Sequence, residues 1–169
     1  MHMLARGVTM QPALERDAGR EFELEFRAVS RSAFLLARNL GRDTDAASDI
    51  VQEAALRAWR YRSSRTGDFR PWFLAIVYRL SHRRLPSWLP LPASWDKAAP
   101  DPVAASMDPA LVAALRDLPG RQRAALWLRY CEDLAVSDVA RIIGCSEPAA
   151  KQLLLRAREA LRKRLEMEK

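Results

Sequence analysis

The chain has 169 residues, with 28 lysines and arginines against 21 acids, and a formal net charge of +7. A hydrophobic fraction of 49% excludes a wholly disordered chain, which could not bury enough apolar surface to offset its entropy. Two cysteines, Cys131 and Cys145, exclude a disulfide scaffold, and no apolar run approaches the roughly 18–20 residues of a membrane span.

Met1 to Arg20 hold no apolar block of signal-peptide length, and together with the cysteine usage this points to a reducing, cytoplasmic setting. With only His2 and His82 beside the two cysteines, no metal site, His-based catalytic centre or cofactor is expected. The excess charge is almost all arginine, so nucleic acid heads the list of partners.

Residues 1–20 mix glycine, proline and charge without periodicity and read as a flexible tail. From Glu21 the pattern turns helical: Phe22, Phe26, Val29, Ala33, Leu36 and Leu40 recur at steps of three and four, and Gly41 ends the run as a C-terminal cap. Asp43-Thr44-Asp45 offers N-caps to a second helix over 46–62, with Ile50, Val51, Ala54, Ala55, Ala58 and Trp59 on its apolar side. The polar stretch Ser63 to Asp68 is a loop, and Pro71 suits the first turn of a third helix reaching about Arg84. Five prolines between Pro86 and Pro102 mark a linker over 86–108, in which Trp88, Leu89, Leu91 and Trp95 are expected to dock on something.

Four further helical runs follow: Pro109 to Leu118, Gly120 to about Cys131, Ala135 to Ile143, and Glu147 to about Leu165. No strand alternation occurs, so the fold class is all-α: two small helical bundles, over 21–85 and 109–169, joined by the proline-rich linker and folding as separate units. The last two runs form a helix-turn-helix, with Gly144 at the turn, Ser146 as cap and Pro148 in the first turn of the second helix. Opposite the Leu154/Ala157/Leu161 stripe, Lys151, Gln152, Leu155 and Arg156 face outward, and such a helix fits a DNA major groove.

Two separated motifs make the reading specific. Leu118-Pro119-Gly120-Arg121-Gln122-Arg123, Leu128-Arg129-Tyr130, Val139-Ala140-Arg141-Ile142-Ile143-Gly144 and Arg156 to Arg162 resemble region 4 of the extracytoplasmic-function (ECF, group IV) sigma factors of bacterial RNA polymerase. Upstream, Ser48 to Ala54 with Arg57-Ala58-Trp59-Arg60 resembles region 2.2 of that family, and Phe69 to Ile76 the segment after it.

The resemblance implies a promoter-specificity subunit, not an enzyme, with core RNA polymerase (β′ clamp coiled coil and β flap), promoter DNA and an anti-sigma factor as partners. It assigns Asp49, Gln52, Glu53, Arg57 and Arg60 to the polymerase. Arg62, Arg65, Phe69, Arg70, Trp72, Arg79, Arg83 and Arg84 are assigned to the opened −10 strand, where rings stack on bases and cations follow phosphates. Ser146, Ala149, Lys151, Gln152, Leu155, Arg156, Arg158 and Arg162 are assigned to the −35 duplex. The chain departs from the family where Arg79 replaces the usual Asn, Arg83 an acid, Ala149-Ala150 the frequent Thr-Val and Gln152-Leu153 the frequent Ser-Arg.

A stand-alone helix-turn-helix regulator, binding a palindromic operator as a dimer, is the alternative that the region 2 motif disfavours. A nuclease would need clustered carboxylates, and Asp43, Asp45 and Asp49 suit a helix N-terminus better. Cys131 and Cys145 are expected to be small buried side chains.

Overall fold

The structure is a computed structural model that describes residues 11–82 and 108–167, with side chains from Arg16 onward. All regular elements among these residues are helical: α1 (Gln11–Asn39), α2 (Thr44–Arg60), α3 (Phe69–His82), α4 (Pro109–Arg116), α5 (Gly120–Leu126), α6 (Val136–Ile143) and α7 (Glu147–Met167). A short 3₁₀ turn, Arg62–Ser64, lies between α2 and α3, and a π-turn, Trp127–Cys131, extends α5. No helix among the described residues is long and apolar enough to cross a membrane.

Local chemistry sets the boundaries. After α1, Gly41 adopts φ +86°; its N–H bonds to the Arg38 carbonyl at 3.0 Å, and the Arg42 N–H bonds to the Ala37 carbonyl at 3.3 Å. This pair of bonds satisfies carbonyls that the helix end leaves open, and glycine takes the left-handed conformation without a Cβ clash. Asp43 caps α2, its carboxylate accepting from the Ala46 N–H at 2.7 Å. Asp108 caps α4 in the same way, with Pro109 in the first turn.

The first helix starts at Gln11, so residues 11–20 are helical and not the loose tail that their lack of periodicity suggested. Gly19 sits within contact of the Trp59 ring, whose edge comes to 3.9 Å of where its Cβ would be. Helices α1, α2 and α3 form one bundle and α4 to α7 another. In the first, Phe73 is fully buried, with Phe26 and Phe69 rings centred 5.7 and 5.4 Å away, and Leu36, Leu74 and Val77 are buried beside it. In the second, Leu128, Val139, Ile142 and Ala157 close the core.

The linker led to the expectation of two bundles that fold as separate units; among the described residues the two pack against each other. Their cores form a single cluster, in which α6 packs on α3 while α5 and the π-turn touch α1. Nine of the fourteen residues of α3 are buried, on all sides but that of Trp72, Ile76 and Arg79, which is the pattern of a central helix and not of one lying at the edge of a bundle. The expected linker and its tryptophans lie outside the described residues.

Candidate nucleic-acid and polymerase interface

Three surfaces carry the residues singled out in the sequence. The first is the outer face of α2, set by the period of the helix: Val51, Ala54 and Ala58 point into the core, and Asp49, Gln52, Glu53 and Arg60 are exposed. Arg57, half-buried, donates to Glu53 one turn earlier at 2.6 Å. Among them stands Leu56, 68% exposed, a large apolar side chain in the middle of a charged face. Sequence reasoning missed it, although its step of three from Glu53 and four from Gln52 puts it on this face.

The second surface surrounds the loop between α2 and α3. Here Phe22 of α1, Phe69 and Trp72 of α3, and Arg62 and Arg65 of the loop line an open cleft of about 280 Å³. Arg62 lies over the Trp59 ring at 3.9 Å, a cation–π contact that holds the guanidinium at the surface. Arg65 is held differently: it pairs with Glu25 of α1 at 2.6 Å and reaches over Phe69 at 5.5 Å.

Phe69 does not stand free for stacking. Its ring is 7% exposed and packs edge-on against Phe22, so it forms a wall of the cleft. Trp72 is half-buried beside it, and Arg79 is exposed further along α3. Arg70 points away from this cleft and pairs with Glu132 of the other bundle. Arg83 and Arg84 lie outside the described residues.

The third surface is the helix-turn-helix. Gly144, at φ +74°, turns the chain between α6 and α7, with its N–H and that of Cys145 both bonded to the Ala140 carbonyl at 2.9 Å. Ser146 Oγ accepts from the Ala149 N–H at 3.4 Å at the start of α7. Ala150, Leu154 and Ala157 are buried, which leaves Ala149, Lys151, Gln152, Leu155, Arg156, Arg158 and Arg162 exposed. Lys151 pairs with Glu147 at 2.8 Å and Arg162 with Glu166 at 3.5 Å, while Arg158 meets the Tyr130 hydroxyl at 3.4 Å. Cys145 is half-buried, but Cys131 is exposed, contrary to expectation, because the π-turn rotates it off the core.

At the far end of α3, His82 donates from Nδ1–H to the Tyr78 carbonyl at 3.1 Å, and the two rings lie 4.0 Å apart. Burial lowers the His82 pKa; the bond to Tyr78 opposes this, and the nearby Arg42, Arg121 and Arg123 add to the lowering. Burial raises the Tyr78 pKa against the pull of Arg121.

Residues 26–87 match the family model of sigma-70 region 2, and residues 109–161 that of sigma-70 region 4. The chain is 35% identical over 153 residues to the ECF RNA polymerase sigma factor SigJ of Mycobacterium tuberculosis, covering 81% of this chain and 49% of SigJ. It is 30% identical over 138 residues to SigL of the same species, covering 75% of this chain and 78% of SigL. It thus spans about half the length of some curated relatives, SigJ among them, and most of others.

Among solved structures, the sigma factor RpoE of Bartonella quintana, crystallised with the anti-sigma factor NepR, superposes with a TM-score of 0.66 at 22% identity, covering 91% of this chain and 99% of RpoE. CnrH, solved with the cytosolic domain of CnrY, gives 0.67 at 21% identity, covering 89% and 91%. These two likenesses speak to the fold alone. A region 2 unit followed by a region 4 unit is the arrangement of a sigma-70-type protein. The chain belongs to the ECF RNA polymerase sigma factors.

Proposed function

We propose that this protein is a promoter-specificity subunit of RNA polymerase, a group IV sigma factor that acts in the cytoplasm without catalytic chemistry of its own. The observation that carries the reading is the exposed outer face of α7, where Lys151, Gln152, Arg156, Arg158 and Arg162 line one side of a helix-turn-helix with no acid between Glu147 and Glu159. That face suits the major groove of a −35 element, with Gln152 offering a bidentate contact to a base edge and the arginines following phosphates. The aromatic cleft of Phe22, Phe69 and Trp72, rimmed by Arg62 and Arg65, suits an unstacked base of an opened −10 strand. The α2 face of Asp49, Gln52, Glu53, Leu56 and Arg60 has the charged rim and apolar centre that a helical partner such as the β′ coiled coil would meet.

The proposal extends to the β flap as the contact of the region 4 unit and to control by an anti-sigma factor. The RpoE and CnrH structures lend the second support, since RpoE was solved with an anti-sigma factor. Reconstitution with core polymerase on a promoter library tests the whole reading. Initiation from a defined subset of promoters, dependent on the added protein, is the expected result, and the absence of any dependence refutes it.

A further inference from the structure

The row Arg70, Leu74, Tyr78 and His82, spaced every four residues along α3, faces the other bundle. Apart from the Tyr78–His82 contact within α3, the contacts described along it cross between bundles. Arg70 pairs with Glu132, Tyr78 lies in the field of Arg121 and Cys145, and His82 Nε2 comes within 4.0 Å of where a Cβ of Gly120 would be. On the loop before α3, the Arg141 guanidinium of α6 approaches Gly67 to the same distance.

Glu132 is the unusual member. Its side chain is 4% exposed, and a carboxylate so placed is costly unless it is paired and hydrogen-bonded. Two donors satisfy it: the indole N–H of buried Trp127, at 3.2 Å, and the guanidinium of Arg70. The first donor is local, supplied by the π-turn, in which the Glu132 N–H bonds to the Trp127 carbonyl at 3.1 Å and Asp133 takes a left-handed φ of +49°. The second is an arginine 62 positions earlier, on the element whose surface is proposed to capture the −10 strand.

We infer that Glu132 is an intramolecular stand-in for DNA phosphate: with Trp127 it holds Arg70 and latches the region 4 unit onto α3 in an autoinhibited form, which must undock before Arg70 can reach a promoter. The inference rests on the promoter-binding reading for its consequence, though not for the latch itself. In the docked form the Arg70 guanidinium is neutralised and α6 leans on the −10 loop. Undocking exposes Glu132 to water and frees the half-exposed Arg70 guanidinium from its carboxylate in one step.

Small-angle scattering on the full chain tests the latch without DNA or polymerase. A compact chain of this length has a radius of gyration of about 15 Å, and undocked bundles about 20 Å or more. Glu132→Gln keeps the shape and the Trp127 partner but removes the charge; Arg70→Glu replaces the attraction by repulsion from a half-exposed position. Both variants are expected to expand, with helicity by circular dichroism unchanged. Parent-like radii for both overturn the latch. If Glu132→Gln loses helicity, the Arg70→Glu radius alone decides.

The autoinhibitory consequence is read at one fixed salt concentration, using a forked duplex whose single-stranded arm has random sequence. Glu132→Gln, or Glu132→Leu where the first misfolds, should bind about tenfold tighter than the parent, because the competent fraction of the chain rises. Expansion without tighter binding overturns the autoinhibition and leaves a mere structural contact. Failure of parent and variants alike to support initiation with core polymerase refutes instead the promoter-binding reading.

Discussion

Truncating Arg156 to alanine isolates the electrostatic share of DNA binding by α7. Lys151 and Arg162 already have acidic partners one turn away, and Arg158 leans on Tyr130, whereas Arg156 has no acidic partner among the described residues. Its removal therefore deletes one phosphate contact without freeing a carboxylate next to the DNA. Each such contact contributes about 0.9 to the slope of log affinity against log salt. The Arg156→Ala slope should be shallower by that amount, so between about 50 and 200 mM salt the gap between parent and variant narrows by about 3.5-fold.

Fluorescence anisotropy on a duplex at several salt concentrations reads this directly. Gln152→Ala is the contrasting case: its slope should match the parent while its base preference shifts, since a bidentate base contact is worth about 1–3 kcal/mol of discrimination. Glu147→Gln, which releases Lys151 from an exposed pair, should tighten binding, by no more than about fivefold. Parallel salt plots for Arg156→Ala and the parent would show that this helix does not lie along the phosphates.

Reversing Asp49 and Glu53 to arginine should abolish capture by core polymerase in a pull-down while circular dichroism stays native, since both are exposed on α2; unchanged capture would remove this face from the interface. Phe73→Ala should cost about 3–5 kcal/mol in chemical denaturation, because a fully buried ring is lost from between Phe26 and Phe69, and a loss below 1 kcal/mol would mean that the core repacks freely. His82 should make stability depend on pH. Its folded pKa lies below the unfolded value near 6.5, so the unfolded chain binds the extra proton; stability is full above about pH 6.5 and falls as pH drops toward the folded pKa. Replacing His82 with glutamine should flatten that part of the denaturation-midpoint profile, and an unaltered profile assigns the dependence elsewhere.

The helices were legible where a face repeats or a cap is chemical: Asp43 before α2, Pro71 in the first turns of α3, Gly41 and Gly144 after α1 and α6. The first turns of α1 were not, because they mix glycine, proline and charge with no apolar stripe, while the place of Gly19 beside Trp59 is a tertiary fact. The exposed face of α7 follows from its period alone. The burial of Phe69 and the capture of Arg70 do not, since both depend on which element lies opposite. A trace of the docking was nevertheless present: α3 carries Leu74 and Tyr78 in addition to the stripe of Phe73, Ile76, Val77 and Leu80, more apolar surface than one bundle needs. Glu132 gave no signal, because a lone acid after a helix looks like any solvated residue.

The central position of α3 also has a consequence for how the protein is made. On the ribosome, α1, α2 and α3 emerge first and can close around Phe73, but the row through Leu74 and Tyr78 stays bare until α6 and α7 have been synthesised. From His82 to Met167, at about 5–20 residues per second, that interval is roughly 4–17 s. For those seconds the nascent chain displays an apolar ridge flanked by arginine, long enough for a chaperone or a waiting binding partner to reach it before the second half of its own chain does.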